Sequence, residues 1–158
     1  MEQGIVYLKR IRLVELEEKL RDLKVNERKS IAEKIAEARS HGDLSENAEY
    51  DAAKEAQSHL ELKIGKLENL LSRVKILEND DIPNGEVFVL TDVKVKDLKH
   101  NEIITFMLVS PDEADFELDK ISVISPLGKA MMGKKVGDIV RVEVPGSLIE
   151  YQILEINK

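Results

Sequence analysis

Between Arg39 and Lys54 the chain carries four acidic side chains and no Lys or Arg, in the run Ser40-His41-Gly42-Asp43-Leu44-Ser45-Glu46-Asn47-Ala48-Glu49-Tyr50-Asp51. Asp43 and Glu46 stand three residues apart, which puts both carboxylates on one face if they open a helix. Hard oxygens so placed suit Mg²⁺, which takes one or two protein carboxylates and leaves its other positions to water and phosphate. A second account stays open: Asp is a favoured N-cap, and acids in a first helical turn complement the macrodipole. His41 could add an imidazole ligand, but a lone histidine without a ligand cluster reads as an exposed turn residue. His59 and His100 stand apart and suggest no site. Arg39 and Lys54 flank the acids and could meet nucleic-acid phosphates, or belong to the solvated face of a helix.

The elements that must carry these groups differ between the two halves. Leu13, Leu16, Leu20 and Leu23 step by three and four, and Ile31, Ile35 and Ala38 resume the pattern, which is helical spacing. No apolar residue fills this stripe near Val25 to Arg28, so the first helix is expected to break or kink there. Beyond His41-Gly42, the positions Ala53, Ala56, Leu60, Ile64, Leu67, Leu71 and Val74 repeat with the period of a coiled-coil seam. Two such helices joined by a short Gly-containing turn bury their seams as an antiparallel hairpin. Small residues at Ala48, Ala52, Ala53 and Ala56 allow close approach beside the turn, although good helix propensity also accounts for them.

Glu78 to Gly85 is polar and contains Pro83 and Asn84-Gly85, which marks a boundary. β-Branched and alternating runs follow at Val87–Leu90, Ile103–Val109, Ile121–Ser125, Val140 to Val144 and Ile149 to Ile153, the last after a Pro145-Gly146-Ser147 turn. Leu127–Met132 reads as one short helix. The expected fold class is therefore α+β, with a hairpin over 1–76, a linker over 77–84 and a small antiparallel β domain over 85–158.

At 158 residues there is room for one ordinary core or two small ones, which favours an accessory protein over an enzyme with a deep cleft of its own. The absence of cysteine excludes disulfides, thiolate zinc sites and cysteine nucleophiles, and is compatible with a cytoplasmic home. No apolar run approaches the ~20 residues that span a bilayer, and the opening lacks a signal-peptide core. No Gly-rich phosphate loop, nucleophile elbow or zinc signature occurs. Residues 1–76 hold 15 basic and 15 acidic side chains, whereas 77–158 hold 9 and 16, so the whole net charge of −7 lies in the second half. That distribution argues against a duplex-binding protein and for a protein partner.

Ile35 to Tyr50, with Ala36-Glu37-Ala38-Arg39-Ser40-His41-Gly42-Asp43-Leu44-Ser45-Glu46-Asn47 at its centre, resembles the tip signature of the GreA/GreB transcript cleavage factors. Asp112-Glu113-Ala114-Asp115-Phe116, Ile121-Ser122, Ser125-Pro126-Leu127-Gly128-Lys129-Ala130 and Gly133 to Asp138 extend the resemblance through the second half. The few basic residues flanking the tip look more like GreA than GreB. The resemblance implies a coiled-coil hairpin and a C-terminal domain similar in fold to FKBP-type prolyl isomerases. It further implies that the C-terminal domain docks at the rim of the RNA polymerase secondary channel, with Ser125 and Pro126 in the docking segment, while the hairpin passes down the channel. A helix of about 30 residues at ~1.5 Å rise spans roughly 45 Å, long enough for such a reach. By the same resemblance, Asp43 and Glu46 are the acids that help hold a second Mg²⁺, shared with the polymerase active centre, for hydrolysis of backtracked RNA. Arg39 and Lys54 match its contacts to the RNA 3′ end, with Lys54 replacing a frequent Arg and so lacking the planar fork. The implied protein is no enzyme itself and needs neither a membrane nor a DNA sequence.

Two departures from the family pattern are visible. Val87–Val95 runs through Leu90-Thr91-Asp92 where Gly and small residues are frequent, and Lys9 stands where a Thr cap is usual. Rival readings are a Gfh-type polymerase inhibitor, disfavoured by the intact Asp43-Leu44-Ser45-Glu46-Asn47, and an FKBP-like prolyl isomerase. For the isomerase, Phe88, Phe106, Phe116 and Tyr151 are poor material for an aromatic pocket, and fold alone is weak warrant. A hairpin chaperone needs exposed apolar residues at the turn, where Leu44 is the one large aliphatic side chain.

Overall fold

A computed structural model describes residues 4–42 and 47–158. They form two compact units, Ile11–Arg73 and a second made of the segment up to Arg10 together with Val74–Lys158.

In the first unit α1 (Arg10–Asp22) runs through a π turn at Leu23–Glu27 into α2 (Arg28–Ser40), and α3 (Ala48–Leu71) returns. The ion pairs Lys24–Glu68 and Arg28–Glu61 show the antiparallel register, since the first partner advances as the second retreats. Leu23, Leu60 and Ile64 are buried at the centre of the seam, with Leu20, Ile31 and Leu67 packed against them. The π turn sits where the apolar stripe is interrupted, and it explains why the helix stays continuous there. Leu23 and Ile31 are eight residues apart, too many for two α turns. One turn widened to i→i+5 bonding takes up the excess and returns both to the same face. Val25, within it, is left exposed.

In the second unit β1 (Val6–Leu8) pairs in parallel with β2 (Val74–Ile76). Five further strands, β3 (Asp92–Asp97), β4 (Glu102–Val109), β5 (Lys120–Ser122), β6 (Ile139–Val144) and β7 (Ser147–Asn157), form a sheet in the order β5-β4-β3-β7-β6. Its pairings are antiparallel except β4 with β5. The helix α4 (Pro126–Met131) precedes β6, and Val93, Val95, Leu108, Met131, Val140 and Ile153 form the dry core.

Several expectations change. The central strand β3 escaped the sequence reading because its only apolar residues are Val93 and Val95, set among Lys94, Lys96 and two aspartates. Val87–Leu90 is not a strand. Val87 exchanges single bonds with Lys134 O and Gly133 N, and Leu90 turns the chain at φ 68°. Ile121–Ser125 shortens to β5 because Ser125 N folds back onto Ser122 O. Val74 leaves the helical seam for β2. Residues 77–84 are no linker: Leu77 and Ile82 are buried with Val89 and Leu90 in a second small core, and Tyr7 packs beside them. The segment is therefore built into the second unit. So is β1, whose Tyr7 N donates to Ser110 Oγ at 2.9 Å, so the compact units divide at 10/11 and 73/74. No helix among the described residues is long and apolar enough to cross a membrane.

Candidate functional site

The far end of the hairpin is organised by caps. α2 ends as His41 N and Gly42 N turn back to Ala38 O and Arg39 O, and Gly42 takes φ 101°, which favours glycine after a helix end. α3 begins at Ala48 with Asn47 as N-cap, its side-chain oxygen accepting from Tyr50 N at 3.1 Å. Asn47 Nδ2 also donates to Ala38 O at 2.6 Å, so one side chain spans both helix ends. The acids in the first turn of α3 are Glu49 and Asp51. Asp43 and Glu46, expected to open this helix, lie outside the described residues, within the segment that joins Ser40 to Ala48 in sequence.

Arg39 is exposed on the last turn of α2, its guanidinium carbon 5.9 Å from the Tyr50 ring centroid. That contact restrains a long side chain without consuming its donors. Lys54 is exposed on α3 and donates to Gln57 Oε1 at 2.8 Å. His41 Nε2 lies 3.6 Å from Glu49 Oε2, an exposed pair that links the two helices when the imidazole is protonated. Ala38, Ala52, Ala53 and Ala56 line a shallow groove beside Lys34, Glu37 and Glu49, so the small residues do sit where the helices approach. Among the described residues no group of three or more His, Cys, Asp or Glu could hold a metal. The donor chemistry at Asp43 and Glu46 still fits Mg²⁺ as two carboxylates of an ion completed by another molecule.

In the second unit Ser125 and Pro126 start α4. Ser125 Oγ accepts from Gly128 N at 3.1 Å and donates to Ser122 O at 2.6 Å, while Pro126 occupies the first turn, where no N–H is needed. Gly128 is required by close approach, since an added Cβ would stand 2.0 Å from Ser122 O. Ser125 and Pro126 also line a cavity of about 490 Å³, together with Phe106, Phe116, Leu127 and Tyr151. Contrary to the expectation from their scatter in sequence, three of the four C-terminal aromatics meet in one pocket. The reason is tertiary: they come from β4, the turn after it and β7. Phe106 and Tyr151 meet edge to face at 5.6 Å, and Phe116 is 88% exposed. Burial, then the nearby Asp97 and Asp119 carboxylates, push the Tyr151 phenol above its ordinary pKa, so it is a neutral donor at physiological pH.

Residues 6–76 match the family model described as transcription elongation factor, N-terminal, and residues 82–158 match that of the GreA/GreB C-terminal domain. The chain belongs to the GreA/GreB family. Relatives of this GreA/GreB chain include the Transcription elongation factor GreA of Chlorobaculum parvum, 53% identical over 152 residues and 96% of each chain. That of Amoebophilus asiaticus is 46% identical over 145 residues and 92% of each. Among solved structures, GreA factor homolog 1 of Thermus thermophilus is 29% identical, with 99% of this chain and 100% of that one covered, at a TM-score of 0.44.

Arg39 and Lys54 stand out in the sequence as the bases flanking the acidic run, and Ser125 and Pro126 through the family resemblance, whereas the joining role of Asn47 does not stand out. Its signal was available, since Asn directly before a run of helix formers is an N-cap pattern. The bond to Ala38, nine residues back, was not.

Proposed function

We propose that this GreA/GreB-family chain enters the secondary channel of RNA polymerase and stimulates the polymerase's own endonucleolytic cleavage of backtracked nascent RNA, rescuing arrested complexes. It is an accessory factor in the cytoplasm and no enzyme in its own right. What carries the reading is a single combination: two carboxylates, Asp43 and Glu46, in the seven residues between Ser40 and Ala48 of a family hairpin whose two helices are capped on either side of them. Two exposed carboxylates hold Mg²⁺ only weakly, so the ion is shared with the polymerase active centre. Bound there, a second ion orients and activates water and offsets charge on the scissile phosphate. Asp43 and Glu46 supply the negative charge that retains it, while Arg39 and Lys54 meet phosphates of the RNA 3′ segment. Ser125 and Pro126 belong to the docking segment, and the excess acid of residues 77–158 supplies attraction to a basic surface. The intact Asp43-Leu44-Ser45-Glu46-Asn47 sequence supports cleavage over Gfh-type inhibition.

The test is RNA cleavage in stalled elongation complexes. Asp43→Asn and Glu46→Gln keep side-chain shape and remove charge, so each should abolish stimulation while polymerase binding changes little. Normal cleavage by both variants would refute the mechanism, and RNA hydrolysis by the purified protein without polymerase would refute the accessory role.

A further inference from the structure

A two-helix seam buries one stripe per helix, and its ends fray unless something ties them. Asn47 does so with two bonds of different kinds. Its Oδ1 accepts from Tyr50 N at 3.1 Å, a cap that Ser or Asp makes equally well. Its Nδ2 donates to Ala38 O at 2.6 Å, on the opposite helix. Capping does not need this second bond; a carboxylate has no donor to replace the amide N–H, and a serine side chain, one bond shorter and with a single polar atom, cannot occupy both the Oδ1 and the Nδ2 positions. The amide orientation follows from its partners, a backbone N–H on one side and a carbonyl on the other. Ala38 directly precedes Arg39, and Tyr50 carries the ring under the Arg39 guanidinium. One side chain therefore holds the backbone on both sides of the Arg39–Tyr50 contact. Lys54 follows one helical turn later on α3.

We infer that Asn47 is a positioning residue for stimulated RNA cleavage: an amide clamp between the end of α2 and the start of α3 that sets Arg39 and Lys54 at a fixed separation for RNA phosphates. The role rests on the function proposed above, whereas the clamp rests on geometry alone.

The chain has no cysteine, so cysteines placed at Ser40 and Asp51 of the full-length protein carry spin labels at those two positions alone. Asn47→Asp keeps an oxygen for Tyr50 N and loses the donor to Ala38 O, Asn47→Ser keeps the cap on a side chain one bond too short to serve both partners, and Asn47→Ala loses both. All three should broaden the distance distribution between the labels. In stalled polymerase complexes they should lower the maximal rate of stimulated cleavage about tenfold, since misplacement by ~1 Å costs up to ~100-fold. The factor concentration giving half the effect should move less than about twofold, because an interaction made only in the transition state leaves binding alone. A cap without a clamp gives a different pattern, in which Asp and Ser match the parent and only Ala fails, and that pattern overturns the inference. Broadened distances with undiminished cleavage overturn the positioning role and leave the cleavage function standing. A parent protein that stimulates no cleavage overturns both, even where the distances still reveal the clamp.

Discussion

Arg28 and Glu61 face each other across the hairpin through two parallel bonds, Nε to Oε1 and Nη2 to Oε2, each 2.9 Å long. They stand at the end of the π turn, where the seam has no apolar side chain, so a planar ionic fork bridges the helices in its place.

The Glu61 carboxyl is held below its ordinary pKa, first by the bond from Arg28 and then, against desolvation, by the charges of Arg28 and Lys24. A lowered folded value means that the pair's contribution is complete above the ordinary glutamate pKa and is lost as pH falls through the lowered value. Both groups are exposed, so the effect is small and screened by salt. Denaturation midpoints measured from neutral to acid pH should fall less steeply for Arg28→Ala than for the parent. The double swap Arg28→Glu with Glu61→Arg should recover part of the neutral-pH stability lost in Arg28→Glu.

Deleting Val25 should be tolerated. Removing one residue from the π turn leaves Leu23 and Ile31 about seven residues apart, close to two α turns, so the stripe stays in phase through an ordinary helix. Deleting exposed Ala36 instead throws Ile35 and Ala38 out of phase with each other. Thermal melts followed by circular dichroism should show a parent-like midpoint for the first deletion and a clear loss for the second. Equal losses would refute the account of the π turn.

Two glycines should respond with opposite signs. At Gly65, in the interior of α3, an added Cβ meets nothing within 4 Å, so Gly65→Ala should stabilise by about 0.5–1 kcal/mol. At Gly128 the same change drives Cβ into Ser122 O, and an overpacking loss of about 1–3 kcal/mol is expected. Urea denaturation of both variants checks the pair.

Ser125→Ala removes the cap of α4 and should cost about 1 kcal/mol. Ser125→Asp keeps an oxygen for Gly128 N but places a charge at the edge of the apolar cavity. If Ser125 belongs to the docking segment, Asp should weaken polymerase binding more than Ala does, although it costs less stability. Binding that follows stability alone would assign Ser125 to the fold and remove it from docking.

The division into a helical half and a β half was legible because periodicity is local: the heptad-like stripe and the alternating runs record which face each element buries. The tip signature, the short helix after Ser125 and the Pro145-Gly146 turn were legible for the same reason, each being set by a few neighbouring residues, whereas the gap in the stripe near Val25 suggested a break and the helix instead runs on through a π turn. Tertiary structure alone decided the rest. Val93 and Val95 form the middle of the sheet because β4 and β7 cover both edges of a strand too polar to announce itself. Leu77 and Ile82 are core residues because the first strand, about seventy positions earlier, returns beside them. Asn47 can reach Ala38 only once the helices have packed, and Phe106, Phe116 and Tyr151 share a cavity only once the sheet has formed. Short-range preference selects the elements, whereas contacts distant in sequence carry no local signal and are set by the burial that pays for closing the chain between them.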